Sequence, residues 1–275
     1  MKTAAAVDPR LRDVPETMLW TLHSRASEAR RADGVLRDPR ALSIYDAIDY
    51  DYVRSFGRAD PLLALRAATF DRLLEAFLDR APDAVIVNLG EGLETQRYRV
   101  DAPEALWISV DLPEAMEVRE RFIAPDNTHL HVAQSATDLS WLDAVPGGRP
   151  LFISAQGLFM YLQPRQVRAL LQGIYRNRAP DSLLFDVIPN WMSGLSRAGG
   201  GLQRTPYYRI PTMPWGVNRA RIAPTMNRWL GPGVAARLHD FPPLPRGPGR
   251  LMSRMVLRSA GARALGPAIV ELHSR

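Results

Sequence analysis

The sequence predicts a doubly wound, mostly parallel α/β sheet of seven strands, with helices ahead of it and a cap inserted between strands five and six. Three observations carry that prediction. After residue 83, short apolar runs rich in β-branched residues alternate with amphipathic stretches, the pattern of strand, crossover helix, strand. Before residue 83 the hydrophobic period is helical throughout. Between residues 189 and 250 the rhythm breaks, in a segment dense in proline and tryptophan. A chain of 275 residues has room for one large domain with such an insertion.

Residues 1–82 read as the N-terminal helical portion. ETMLWTLHSRASEARR sets Met18, Leu22, Ala26 and Ala29 on one face, and DPRALSIYDAIDY opens with Asp38 as an N-cap and Pro39 at the first helical position. LLALRAATFDRLLEAFLDR is amphipathic up to Ala81 and Pro82. Residues 83–188 read as the α/β core. Its strands are AVIVNLG (84–90), ALWISVD (105–111), THLHVA (128–133), RPLFISA (149–155) and SLLFDVI (182–188), with helices at 113–122 and 164–178. Residues 189–250 contain Trp191, Trp215 and Trp229, too many large aromatics for a linker, and read as an ordered cap with a short helix around 218–230. In 251–275, LMSRMVLRSA (251–260) and PAIVELHS (267–274) read as two strands that complete the sheet.

Composition excludes several functions. With no cysteine there are no disulfides, no Cys-ligated metal and no thiol nucleophile. The net charge of +6 comes from arginines scattered among acids, without a basic tract or zinc-finger spacing, so no nucleic-acid partner is expected. An anionic small molecule or an acidic cofactor is served by the same field. No apolar run approaches the ~18 residues of a membrane span. The opening MKTAAAVDPR lacks the apolar core of a signal peptide, so a cytoplasmic location without a membrane partner is expected. Nothing in the sequence specifies an oligomeric state.

The strongest local signal follows the first strand, in AVIVNLGEGLETQRYRV. A glycine-rich turn at the carboxyl end of that strand is where open α/β sheets bind cofactors. Gly90 permits a tight turn and Gly92 a close approach of ligand to backbone. The third glycine of the dinucleotide fingerprint is absent, which argues against a pyrophosphate cradle and against a dehydrogenase. Asp111 ends the second strand 21 residues beyond Gly90, where a carboxylate can accept both ribose hydroxyls of a nucleoside. Asp138 and Leu139, after the third strand, are placed to meet the exocyclic amine and a ring nitrogen of adenine. Gln156, Gly157 and Tyr161, after the fourth, fall where the ligand crevice should be. His129 and His131 share one face of a strand, but no third ligand accompanies them, and no metal site is expected.

Taken in order, VNLGEGLETQRYRV, VDLPEAMEVRERF, SATDLSW, AQGLFMYL and FDVIPNW resemble the leucine carboxyl methyltransferase family, and within it the bacterial branch of polyketide-type O-methyltransferases. ADGVLRDPRAL, IDYDY and YYRIPTMPWG extend the resemblance over nearly the whole chain. It implies a class I methyltransferase sheet and S-adenosylmethionine as cofactor, with S-adenosylhomocysteine as product. By that resemblance Gly90 and Gly92 lie under the amino-acid and sulfonium end, Asp111 holds the ribose, Leu112 lies beside the adenine, and Asp138 and Leu139 address it. Arg66 pairs with the methionyl carboxylate, and Arg25 is a further candidate for that end. Three positions depart from the family's usual residues. Glu91 stands where a small residue is common, Glu94 where aspartate is, and Gln156 where glutamate is. Glu91 either projects away or meets the cofactor's ammonium group.

The activity implied is O-methylation of a small acceptor, a carboxylate or a phenolic hydroxyl on an aromatic or apolar molecule, of the secondary-metabolite kind. A carboxylate needs no base at neutral pH; a phenol does. No residue stands out as a committed base, although Tyr161 lies beside the crevice. Tyr161, Trp191, Tyr207, Arg209 and Trp215 are the expected acceptor contacts, aromatic walls with one arginine for a carboxylate. Two other activities fit the same motifs: a protein or peptide carboxyl methyltransferase, and a non-catalytic nucleoside-binding protein.

Overall fold

A computed structural model of the chain describes residues 11, 13–247 and 249–274. The opening MKTAAAVDPR, read above for a leader, lies outside them. Among the described residues no helix is long and apolar enough to cross a membrane.

Four helices come first: α1 (Asp13–Ala29), α2 (Pro39–Ala47), α3 (Tyr52–Phe56) and α4 (Pro61–Leu78). The caps follow from the sequence. Asp38 accepts the Ala41 amide at 2.9 Å ahead of Pro39, and Asp60 accepts the Leu62 amide at 3.0 Å ahead of Pro61. On α1, Met18, Leu22 and Ala26 are buried as the periodicity requires, and so are His23, Arg25 and Glu28. A helix with buried charge on a second side must be covered there as well, and α2 and α4 supply that cover.

The main sheet runs in the order β3 (His129–Ala133), β2 (Leu106–Asp111), β1 (Val85–Leu89), β4 (Leu151–Ala155), β5 (Ser182–Val187), β9 (Ala268–Ser274), β8 (Val234–His239). The first five strands are parallel; β9 is antiparallel to both β5 and β8. Alternate residues serve opposite faces, as strand geometry demands. Val85, Val87 and Leu89 pack with Val167, Leu170 and Ile174 of α6 (Pro164–Arg178), whereas Ile86, Trp107 and Phe152 pack with Phe70, Leu74 and Phe77 of α4. The order reverses between β1 and β4, the switch point at which such sheets open a crevice. The helix expected at 113–122 is α5 (Pro113–Glu120).

Between β5 and β8 lie α7 (Asn190–Arg197), a hairpin of β6 (Leu202–Thr205) and β7 (Tyr208–Ile210), and α8 (Arg219–Leu230). The hairpin is tied to the N-terminal helices. Arg204 donates to the Phe56 carbonyl at 3.0 Å, Thr205 to the Ser55 carbonyl at 2.7 Å, and the Tyr208 ring meets Phe56 edge-on.

One expectation is corrected. Residues 251–260 form no strand; α9 (Gly249–Arg258) and α10 (Ala260–Ala264) occupy them, and the sheet's sixth strand is β8, inside the segment read as cap. The physical reason is visible in both stretches. In LMSRMVLR the apolar residues fall at Leu251, Met252, Met255, Val256 and Leu257, a helical spacing. VAARLH has only one β-branched residue, and as an edge strand with β9 alone beside it, it needs little more.

Candidate functional site

A cavity of about 490 Å³ opens at the carboxyl ends of β1, β2, β4 and β5. Its polar half is built on the loop after β1. Gly90 and Gly92 have φ of +65° and +51°. A Cβ on Gly90 would come within 2.9 Å of Leu158, and one on Gly92 within 2.7 Å of Met18, so neither backbone angle nor space admits a side chain. Asp111 closes this end. One of its carboxylate oxygens accepts the Gly92 amide at 2.6 Å and the other the Leu112 amide at 2.7 Å. Burial pushes its carboxyl up to about 6, although both amides and Arg119 pull the other way. Leu112, Ala136 and Gln156 line the same half.

Arg66 enters from α4. Its guanidinium pairs with Asp186 of β5 at 3.0 Å, and Asp186 in turn accepts the Gly157 amide at 2.6 Å. The Arg66 Nε is buried without a hydrogen-bond partner. A buried guanidinium with spare donors fits a carboxylate ligand. Asp186 was not anticipated; the signal was an acid in the otherwise apolar strand SLLFDVI.

Glu91 lines the cavity, yet its carboxylate is engaged by Arg119 at 3.1 Å and by the Asn88 amide at 3.1 Å. Glu91 therefore does not project away from the cavity, and its carboxylate rests on its own chain in this structure.

Arg25 is corrected. It is not among the cavity-lining residues but lies beneath the loop, 1% exposed, paired with Glu94 at 3.1 Å and donating to the Leu93 carbonyl at 2.6 Å. Arg99 joins the same buried cluster, 2.7 Å from each of Asp38, Asp71 and Glu94. Burial opposes ionisation of Glu94, but Arg25 and Arg99 outweigh it and hold that carboxyl at about 2. Asp138 and Leu139 are corrected too. Asp138 is exposed and caps the short 3₁₀ turn 139–144 through the Ser140 amide, and Leu139 packs over Gly173. The cavity is lined instead by their predecessors Ser135, Ala136 and Thr137.

The other half of the cavity is apolar. Leu62 comes from α4, Met160 from the 3₁₀ turn after β4, Ile188 from the end of β5, and Met192, Leu202, Ile210 and Met213 from the β5–β8 segment. Of the five expected acceptor contacts, only Tyr161 lines it; burial pushes that phenol up to about 12. Trp191 is half exposed and donates to the Leu265 carbonyl at 2.8 Å. Tyr207 is 64% exposed beneath the Arg54 guanidinium. Arg209 points to solvent, and Trp215 is buried against Phe159, Phe185 and Trp229. His129 and His131 lie away from the cavity, hydrogen-bonded to Ser109 and Glu120.

Known proteins resemble this chain in sequence and in fold. A family model described as leucine carboxyl methyltransferase matches residues 18–175. The tetracenomycin polyketide synthesis O-methyltransferase TcmP of Streptomyces glaucescens is 32% identical over 215 residues, 77% of this chain and 78% of its own length. An S-adenosyl-L-methionine-dependent methyltransferase of Gibberella zeae is 30% identical over 177 residues, 58% of this chain and 59% of its own. Among solved structures, magnesium protoporphyrin IX methyltransferase from Synechocystis, with S-adenosylhomocysteine bound, shares the fold at a TM-score of 0.50 and 13% identity, covering 86% of this chain and 93% of that one.

Proposed function

This chain belongs to the leucine carboxyl methyltransferase family of S-adenosylmethionine-dependent methyltransferases, and we propose that it methylates an oxygen, carboxylate or phenolic, of a small apolar acceptor. The observation that carries the proposal is the continuity of a single cavity. Its polar half offers a set of groups suited to a nucleoside, and its other half is a chamber lined by Leu62, Met160, Ile188, Met192, Ile210 and Met213. TcmP, named for polyketide synthesis, supports an acceptor of that kind.

At the polar half, Asp111 takes the ribose hydroxyls, the backbone of Gly90 to Gly92 lies along the amino-acid end, and Arg66 takes the methionyl carboxylate with the donors that Asp186 leaves free. Leu112 and Ala136 flank the adenine. When bound, S-adenosylmethionine would supply an activated methyl group, passed in line to the acceptor oxygen as the carbon–sulfur bond breaks and S-adenosylhomocysteine leaves. The chain's part is to hold donor and acceptor end to end, which turns a bimolecular encounter into an oriented one. Residues 188–233 act as the chamber wall. Among the described lining residues Arg66 is the one cation, and Asp186 engages it, so the acceptor is held by apolar contact and shape. Tyr161, protonated at neutral pH, takes no proton, so a phenolic acceptor would react as its phenolate after giving its proton to solvent.

The test is incubation with methyl-labelled S-adenosylmethionine and a panel of aromatic carboxylic acids and phenols. Label in an extracted small product is expected. Label confined to protein bands would point to a protein carboxyl methyltransferase and overturn the proposal.

A further inference from the structure

Arg119 is almost fully enclosed, 1% exposed, on the α5 helix that follows Asp111. It reaches back under the loop after β1 with a forked set of contacts. One nitrogen donates to the Gly92 carbonyl at 2.7 Å and to the Glu94 carbonyl at 2.8 Å; the other meets the Glu91 carboxylate at 3.1 Å. Gly92 is therefore held from both sides: its amide by Asp111, its carbonyl by Arg119. The result is a closed circuit. Strand β2 supplies the acid, the helix after it supplies the base, and the two grip one left-handed glycine of the neighbouring loop.

We propose that Arg119 is a positioning residue for the cofactor, with Glu91 as its internal counter-ion, and that this pair fixes the loop in the shape that presents Asp111 to the ribose. The proposal rests on the assignment of Gly90, Gly92 and Asp111 as the cofactor cradle. Glu91 is then explained without any ligand: a buried guanidinium satisfied only by carbonyls would lack a counter-charge, and Glu91 supplies it. Arginine is required because lysine cannot span two carbonyls and a carboxylate in one plane. The charged groups facing Asp111 are Arg119 on α5 and Glu91 on the loop, beside the amides of Gly92 and Leu112.

The experiment is calorimetric titration of the full chain with S-adenosylhomocysteine between pH 5 and 8, for wild type, Arg119→Met, Arg119→Lys and Glu91→Gln, each checked for folding by thermal unfolding. Arg119→Met is expected to weaken binding at least about tenfold, the size of losing one or two charge-assisted hydrogen bonds. Arg119→Lys should recover part of that, and Glu91→Gln should weaken binding only several-fold. The pH at which affinity declines should move in opposite directions. It rises for Arg119→Met, which removes a positive charge near Asp111, and falls for Glu91→Gln, which removes a negative one. Midpoints that both stay in place would mean that neither charge acts on Asp111, which overturns the proposal. If Arg119→Met fails to fold, Arg119→Lys and Glu91→Gln still carry the test. Wild-type affinity in either Arg119 variant overturns the proposal, as does loss of binding in Glu91→Gln beyond that of Arg119→Met, which would make Glu91 a ligand contact. An Asp111→Ala control separates the two assignments: if it too binds normally, the cradle itself is misplaced.

Discussion

At the cofactor end of the cavity three acids are held by groups of the chain: Asp111 receives two amides, Glu91 faces Arg119, and Glu94 sits between Arg25 and Arg99. At the acceptor end Met160, Met192 and Met213 meet their neighbours through dispersion, on segments far apart in the chain. The cofactor end is rigid and specified by directional bonds. The acceptor end is shaped by aliphatic side chains, its methionines able to repack cheaply, which suits a chamber that must fit a particular molecule without a fixed charge to recognise.

The contrast breaks most visibly at Arg99. Replacing it by methionine leaves Asp38, Asp71 and Glu94 buried without their shared cation, and removing one partner of a buried pair costs about 3–5 kcal/mol. Thermal unfolding should drop by on the order of 10 °C. Glu94's depressed pKa makes its contribution fully present above its ordinary value near 4.5, to be lost only as pH falls toward 2. A drop of a degree or two at neutral pH would mean that the cluster is far better solvated than its burial implies.

Asp111 is the opposite case. Its pKa is raised in the folded protein, so ionising it costs folding stability above about pH 6, and that cost vanishes below its ordinary value near 3.8. Asp111→Ala should therefore change unfolding far less than Arg99→Met while weakening S-adenosylhomocysteine by roughly a hundredfold or more, two hydrogen bonds to a charged group. Wild-type affinity should itself decline as pH drops through about 6, where the carboxylate takes up a proton. A flat affinity from pH 5 to 8 would count against a ribose contact by the ionised acid.

Why one end was legible and the other was not follows from sequence distance. Gly90, Gly92, Asp111 and Leu112 lie within one β–loop–β unit, so strand period and glycine placement bring them together in any fold of this class. Arg66 and Asp186 meet across 120 residues, and only topology joins them. The fold was legible wherever strands were buried on both faces, and failed at β8, the edge strand, and at α9, whose apolar residues are exposed and so mimic a core element. In the chamber the errors are small in sequence and complete in space. Trp191 was expected and Met192 lines the wall; Arg209 was expected and Ile210 does. One residue along a helix turns the side chain by ~100°, and one along a strand reverses it. Aromatic and charged residues drew attention because of their chemistry, but in this cap they serve the sheet's back face or the surface.

The pair Arg209 and Ile210 gives the finest test, because the two residues are adjacent on β7 and share its backbone. Arg209 faces solvent beside Gln203, at a marginal 3.5 Å, and touches nothing in the cavity. Arg209→Ala should leave acceptor and cofactor affinities within about twofold, in line with surface substitutions that change little. Ile210→Ala removes about three carbons from the chamber wall, worth ~0.8 kcal/mol for each one fully buried against the acceptor, so acceptor KM should rise on the order of tenfold. Binding of S-adenosylhomocysteine should hold steady, because the cofactor end is built without the hairpin. The same ratio measured with a carboxylic acid and with a phenol should agree, since Ile210 contributes area and no charge. A large effect of Arg209→Ala confined to carboxylic acids would instead bring the hairpin's outer face into the site, and with it a cap that closes further over its substrate than this structure does.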